Sequence, residues 1–397
     1  MSALVFPKMT RSAKRARGAA LFLVAAIGVM GWVQAADDTA GKRQAGVSAQ
    51  TGPATARVPV GAIRWDAWVG DLGSTETWKP GGWQELALAS DAQWHDRIPF
   101  YGKILPDKKV EARCIEQETL DEEIRYAKGA LDYWAFWDSP AWSQDAVMGK
   151  GLRLYLTSSH KEDINFSIIL NDRAWYDHLD DYLAYFREPT YQKIEGGRPL
   201  IFIFTEASAP PEDEKLSKLA SGIAALRARS VEQGTGSPYV VVMNFKPDFA
   251  KKWCDTLEFD AISTYANGGS RGRGEPYQQL RTTAESIWKP YLAQKKPVVL
   301  NCMTGWDQRP RTIESDNPRW KEIREKGPGW YQKGTPEEIA AHLAAAAKKC
   351  QAEPDQCKAV ICYAWNEFTE GGWLCPTLGD GDARLRAIEK LREQQRW

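Results

Sequence analysis

From Val60 onward, short apolar runs recur along the chain, separated by longer stretches with helical spacing of apolar and polar positions. Nine runs of six or seven residues are rich enough in β-branched and aromatic side chains to form strands. They are VGAIRW (60–65), FYGKIL (100–105), LDYWAFW (131–137), INFSIIL (164–170), LIFIFT (200–205), YVVVMNF (239–245), FDAISTY (259–265), PVVLNC (297–302) and AVICYA (359–364). Between them, helical patterns cover 120–130, 174–186, 214–232, 277–292 and 336–349. Strands alternating with amphipathic helices predict βα units around a parallel sheet. A (β/α)8 barrel needs eight strands, so one run must lie outside it. FYGKIL is the weakest, because Pro99 and Pro106 bound it and no helical pattern separates it cleanly from its neighbours. An open doubly wound sheet competes, but the GxGxxG turn that such a sheet would carry after its first strand is absent. The expected fold is an α/β (β/α)8 TIM barrel, a single catalytic domain over 58–397. No fixed-period repeat supports a solenoid.

In such a barrel, chemistry gathers where strands end. Those positions carry Asp66 and Trp68 after the first strand, then Trp137 and Asp138, Asn171 and Asp172, Thr205 and Glu206, Asn244 and Lys246, and Tyr265 and Asn267. Trp306 and Asp307 follow PVVLNC, while Asn366, Glu367, Glu370 and Trp373 follow AVICYA. Carboxylates, amides and aromatic rings in this mixture suit sugars, whose hydroxyls need donors and acceptors and whose C–H faces lie against rings. The chain's 18 Trp and 14 Tyr fit that picture, although a Trp inside an apolar run, such as Trp134, reads as core. Within NEFTEG, Glu367 and Glu370 stand three apart, so a helical turn would bring both carboxylates to one cleft. The alternative is a solvated loop whose acids cap a helix.

Composition narrows the class. The 397 residues are 43% hydrophobic and carry 52 basic and 52 acidic side chains. That balance argues against a nucleic-acid binder, which usually shows a basic excess or stripe. Lys8, Arg11, Lys14, Arg15 and Arg17 precede an apolar run over 19–33 and a Val33-Gln34-Ala35 site followed by Ala36. Residues 1–35 therefore read as a signal peptide cleaved after Ala35, giving a periplasmic or secreted protein; an uncleaved membrane anchor is the alternative. Residues 36–57 are poor in bulky apolar side chains and read as a flexible linker. All seven cysteines lie in the exported part, and Cys350 and Cys357, flanking a polar loop with Pro354, are the best candidate disulfide. Four scattered histidines and no CxxC pair predict neither a metal site nor any other cofactor.

Several ordered motifs together resemble the glycoside hydrolase family 99-like, or WbsX-like, proteins, relatives of endo-α-mannosidases. VGAIRWDAW is similar to that family's opening strand, EEIRYAKGALDYWAFW to its second helix and strand, and YQKIEGGRPLIFIF to its Tyr–turn–Gly-Arg-Pro entry. GWDQRPR (305–311), which contains Arg311, is similar to its Gly-Trp-Asp-x-x-Pro-Arg loop, and AWNEFTEGGWLCP to its Trp-Asn-Glu-Trp-x-Glu-Gly signature. Phe368 and Cys375 depart from that signature.

The resemblance implies a (β/α)8 barrel and a retaining glycosidase. Glu367 would act as base toward the sugar 2-hydroxyl and Glu370 as acid/base at the leaving oxygen. Asp66, Trp68, Trp137, Asp138, Asn171, Glu206, Asn244, Tyr265, Trp306, Asp307, Arg311, Asn366 and Trp373 are the expected substrate-binding set. The expected function is an exported hydrolase of an α-linked or bacterial surface polysaccharide. The alternative is a polysaccharide-assembly protein, either a transferase or a non-catalytic sugar binder.

Overall fold

Eight of the nine apolar runs form parallel strands in the computed structural model. The structure describes residues 57–68, 80–114, 116–138, 147–171, 175–268, 271–312 and 318–397. The expected signal peptide and nearly all of the expected linker lie outside the described residues. The strands are β1 (Val60–Arg64), β2 (Tyr133–Trp137), β3 (Asn165–Asn171), β4 (Arg198–Phe204), β5 (Tyr239–Met243), β6 (Ala261–Ser263), β7 (Val298–Met303) and β8 (Cys357–Tyr363). Each pairs in parallel with its neighbours, in the order β3-β2-β1-β8-β7-β6-β5-β4, and a β3–β4 pairing closes the ring. The result is a (β/α)8 barrel.

Both faces of these strands are covered, which explains their nearly continuous apolar sequences. Val240, Val241 and Val242 are all fully buried, as are Val360, Ile361 and Cys362. A Cβ on Gly61 would lie 2.3 Å from the Tyr133 ring carbon Cζ, so the Tyr133 ring lies over β1 only because residue 61 is glycine. FYGKIL lies outside the barrel. Its Lys103–Ile104 segment pairs antiparallel with Val110–Glu111 in a small hairpin inside the β1–β2 connection.

The outer layer consists of helices α1 (Pro80–Ala89), α2 (Gln117–Ala127), α3 (Val147–Thr157), α4 (Leu179–Arg187), α5 (Asp213–Glu232), α6 (Pro247–Thr256), α7 (Tyr277–Leu292), α8 (Pro318–Lys326), α9 (Pro336–Ala352) and α10 (Ala383–Gln395). The long amphipathic helices fall where expected. A capping box between Thr335 and Glu338, with Pro336 in the first turn, starts α9 at the expected residue. Helices α1, α3, α6 and α8 fall outside the expected patterns; α1 and α3 each contain two glycines, which weaken a helical signal. Helix α10 packs on α9 and completes the layer beside β8.

Behind β1, Arg64 is fully buried between the Glu123 carboxylate of α2 and Asp66. It also lies over the rings of Trp134 (4.8 Å) and Phe136 (5.4 Å), which anchors α2 to the first two strands. All seven cysteines are buried free thiols. No disulfide joins Cys350 and Cys357, but a side-chain hydrogen bond between the two thiols pushes Cys350 up and Cys357 down from the ordinary thiol range. No described helix is long and apolar enough to cross a membrane.

Candidate active site

The last strand delivers the pair of acids. After Tyr363 the chain makes a short antiparallel ribbon, Asn366–Glu367 against Gly372–Trp373, with a 3₁₀ turn over Phe368–Glu370 between its two sides. Asn366 holds the ribbon to the barrel mouth. Its Oδ1 accepts from Trp65 N at 2.8 Å and its Nδ2 donates to Trp65 O at 2.7 Å, replacing a strand pairing with a side chain. Gly371 ends the turn at φ +79°, where its peptide lies so close to the next loop that a Cβ would be 2.5 Å from Asp307 N. That proximity allows Asp307 N to donate to Glu370 O at 2.6 Å.

Glu367 (4% exposed) and Glu370 (8%) share one cation. Arg311, itself buried, donates Nη2 to Glu367 Oε2 at 2.8 Å, Nη1 to Glu370 Oε1, and Nε to Thr369 Oγ1 at 2.9 Å. Glu370 also accepts from the Tyr363 hydroxyl and, at 3.5 Å, from Gln308 Nε2. The acids are therefore unequal: Glu370 has three side-chain donors and Glu367 has one. Two carboxylates and one guanidinium leave a buried net negative charge unless one proton is retained. Burial pushes Glu367 up to about 8, with Arg311 opposing and Glu370 adding to the shift. Burial lowers Arg311, but Glu370 and Glu367 more than offset it and hold it above its ordinary value. Tyr363 and Tyr265 are pushed well up, first by burial and then by Glu367, so both hydroxyls keep their protons.

A belt of rings crosses the mouth beside these acids. Centroids run from half-exposed Phe245 to Phe204 (5.6 Å), Tyr265 (5.1 Å), Tyr363 (5.4 Å) and Trp306 (5.6 Å). Trp137 joins at Tyr265 (5.8 Å) and donates Nε1 to the Tyr265 hydroxyl at 3.0 Å, and Trp65 meets Trp137 edge-on. Each ring sits at or just beyond the end of a barrel strand. Packed at aromatic contact distances, the rings form a continuous wall rather than scattered core residues.

The structure divides the expected substrate-binding set. Trp137, Tyr265, Trp306 and Arg311 gather around Glu367 and Glu370. Asp138 and Asn171 are half-buried at the ends of β2 and β3, and Glu206 is exposed beyond β4. Others are held in internal contacts. Asp66 is sealed against Arg64, and burial pushes it up to about 6. Trp68 is buried edge-on against Phe368. Asn244 donates Nδ2 to the Thr205 and Ala207 carbonyls and accepts from Lys246 N, which shapes the exit of β4. Asp307 binds both Arg97 and Arg309, Asn366 is the clamp on Trp65, and Trp373 is buried beneath Arg384. Sequence reading missed Tyr363, Trp65 and Phe204 as residues of the mouth. Each lies inside an apolar strand run, at its last or next-to-last residue, whereas most of the candidate positions follow the strand runs. Among the described residues, no three His, Cys, Asp or Glu side chains are grouped to hold a metal ion.

Residues 158–388 match the family described as Glycosyltransferase WbsX, and the chain belongs to that family. The match includes Arg311, Glu367 and Glu370, and the family is one of carbohydrate-active enzymes. No curated protein matches the sequence. Among solved structures, a GH5-4 broad specificity endoglucanase from an uncultured bacterium is similar at 10% identity, covering 85% of this chain and 94% of that one, with a TM-score of 0.38. A fungal β-1,4-galactanase gives 10% identity over 68% of this chain and 90% of its own, with a TM-score of 0.37. A dihydropteroate synthase from Thermus thermophilus reaches 9% identity over 86% and 95%, with a TM-score of 0.28. None reaches a TM-score of 0.5, so the barrel assignment rests on the strand pairing itself.

Proposed function

We propose that this protein is an exported glycoside hydrolase that cleaves an α-linked or bacterial surface polysaccharide with retention, using Glu367 and Glu370. The observation that carries the reading is the buried pair itself: two carboxylates at the strand exits of a barrel, bridged by Arg311 and flanked by an aromatic wall. A retained proton on one acid and a charge on the other are what proton transfer at a glycosidic bond needs. The environment favours Glu367 as the protonated member and Glu370, held by Arg311 and Tyr363, as the anion.

In this division, Glu370 takes the proton of the sugar 2-hydroxyl, whose oxygen closes on the anomeric carbon as Glu367 protonates the leaving oxygen. Water then opens the anhydrosugar: Glu367 removes the water's proton and Glu370 returns one to the 2-oxygen. This reverses the roles that the family resemblance implies. Glu367→Gln and Glu370→Gln are each expected to fold normally and to lose about 10²–10⁴-fold in turnover of a polysaccharide substrate, the usual contribution of a positioned acid or base. On aryl glycosides with good leaving groups, Glu367→Gln recovers activity and Glu370→Gln does not. Recovery by Glu370→Gln instead restores the roles that the family resemblance implies, and full polysaccharide turnover by both variants ends the hydrolase reading.

The family's name supports a second reading, a transferase of polysaccharide assembly. It makes a new linkage from an activated donor. Product chromatography separates the two, because a hydrolase yields reducing sugars without any donor.

A further inference from the structure

A cavity of about 150 Å³ lies beside the Gly305–Asp307 loop, with Trp306, Asp307 and Gly371 in its wall. Its framework is a ladder of alternating indoles and guanidiniums. Arg309 lies between Trp330 (3.6 Å) and Trp94 (4.9 Å), Arg97 between Trp94 (4.5 Å) and Trp373 (5.7 Å), and Arg384 over Trp373 (4.0 Å). Guanidinium faces committed to rings leave their N–H edges for acceptors, and the stacking fixes where those edges lie.

Charge around the cavity is unbalanced. Arg97 and Arg309 share the single carboxylate of Asp307, while Lys333 and Arg384 share Asp96 and Asp380. Four cations thus face three carboxylates. Of the five N–H groups on Arg309, Asp307 engages two. Surplus cation, the uncommitted N–H groups of Arg309 and room for about one pyranose ring coincide at one end of the aromatic belt.

We propose that this cavity takes a carboxylate-bearing sugar, a hexuronic acid unit of the polymer whose neighbouring linkage lies at Glu367 and Glu370. The proposal rests on the glycosidase reading above for the identity of the polymer. The carboxylate lies against Arg309 and Lys333. A substrate bound on both sides of Trp306 is cut within the chain rather than at its end.

The test is a titration of the full chain with glucuronate, galacturonate, glucose, galactose and inorganic phosphate, followed by intrinsic tryptophan fluorescence. Hexuronates are expected to bind about tenfold or more tightly than the neutral sugars or phosphate. Arg309→Gln is expected to weaken hexuronate binding by about tenfold, the order expected for losing a charge-assisted contact. Lys333→Gln, at a half-exposed position, is expected to weaken it while thermal unfolding stays as in the wild type. Hexuronates binding no better than neutral sugars, phosphate matching hexuronate, or wild-type binding by a folded Lys333→Gln would each overturn the proposal. Since binding is the readout, absence of hydrolysis in a parallel assay counts against the glycosidase reading alone.

Discussion

At the residue scale, the site is built on asymmetry between two identical side chains. Arg311 touches both glutamates, but Tyr363 and Gln308 reach only Glu370, so the number of donors decides which acid carries the charge. Glu367, pushed up to about 8, sets the alkaline limb of activity in this scheme. The rate of a polysaccharide-cleaving assay is expected to fall as pH rises through about 8, and the limb is expected to disappear in Glu367→Gln. Stability changes in the same direction. The folded state holds the Glu367 proton more tightly than the unfolded chain does, so its contribution is full below the ordinary carboxylate range and is lost as pH rises through about 8. A wild-type unfolding free energy with no decline over that window, relative to Glu367→Gln, would remove the basis for placing the proton there.

At the element scale, the positions of the acids depend on the ribbon after β8, and its two supports make separable predictions. Asn366 replaces backbone pairing with Trp65, so Asn366→Ala leaves a buried N–H and C=O without partners. It is expected to cost about 1–3 kcal/mol in chemical denaturation. Gly371 is in the left-handed region against Asp307 N, and Gly371→Ala is expected to cost about 1–3 kcal/mol and also to lower turnover, because the peptide that must move carries Glu370. Equal turnover by wild type and Gly371→Ala would mean that the turn does not position the acid. Most of these elements were legible in the sequence. The eight strands, the exclusion of FYGKIL and the boundaries of α7 follow from runs and periods, whereas α1 and α3 each carry two glycines, poor helix formers that need packing against the barrel to be helical.

At the scale of the whole molecule, buried ion pairs tie the outer layer to the barrel. Arg64 receives Glu123 from α2 and Asp66 from the β1 exit, all three being fully or almost fully buried. Removing one partner would leave an uncompensated charge in a dry site, and Glu123→Ala is expected to cost about 3–5 kcal/mol by denaturant unfolding. Replacement by a neutral residue without a stability loss would show that Asp66 alone balances Arg64. The cavity beside Trp306 belongs to this scale too, since its ladder draws Trp94 and Arg97 from the β1–β2 connection, Arg309 and Trp330 from the β7–β8 connection, and Trp373 and Arg384 from the C-terminal segment.

The sequence by itself determined the barrel, because strand length, apolar content and helical period are local properties that survive without a neighbour. It also determined the exit of the last strand as the place to look for paired acids, because position along a βα unit dictates which end of the barrel a residue reaches. Tertiary structure decided what each exit residue does. Asp66, Asn244, Asp307 and Asn366 have the chemistry of sugar-binding groups, yet their hydrogen bonds are taken by Arg64, the Thr205 and Ala207 carbonyls, Arg97 and Arg309, and Trp65. Those partners lie up to 301 residues away along the chain. A polar group's availability depends on what packs beside it, and no local pattern records that.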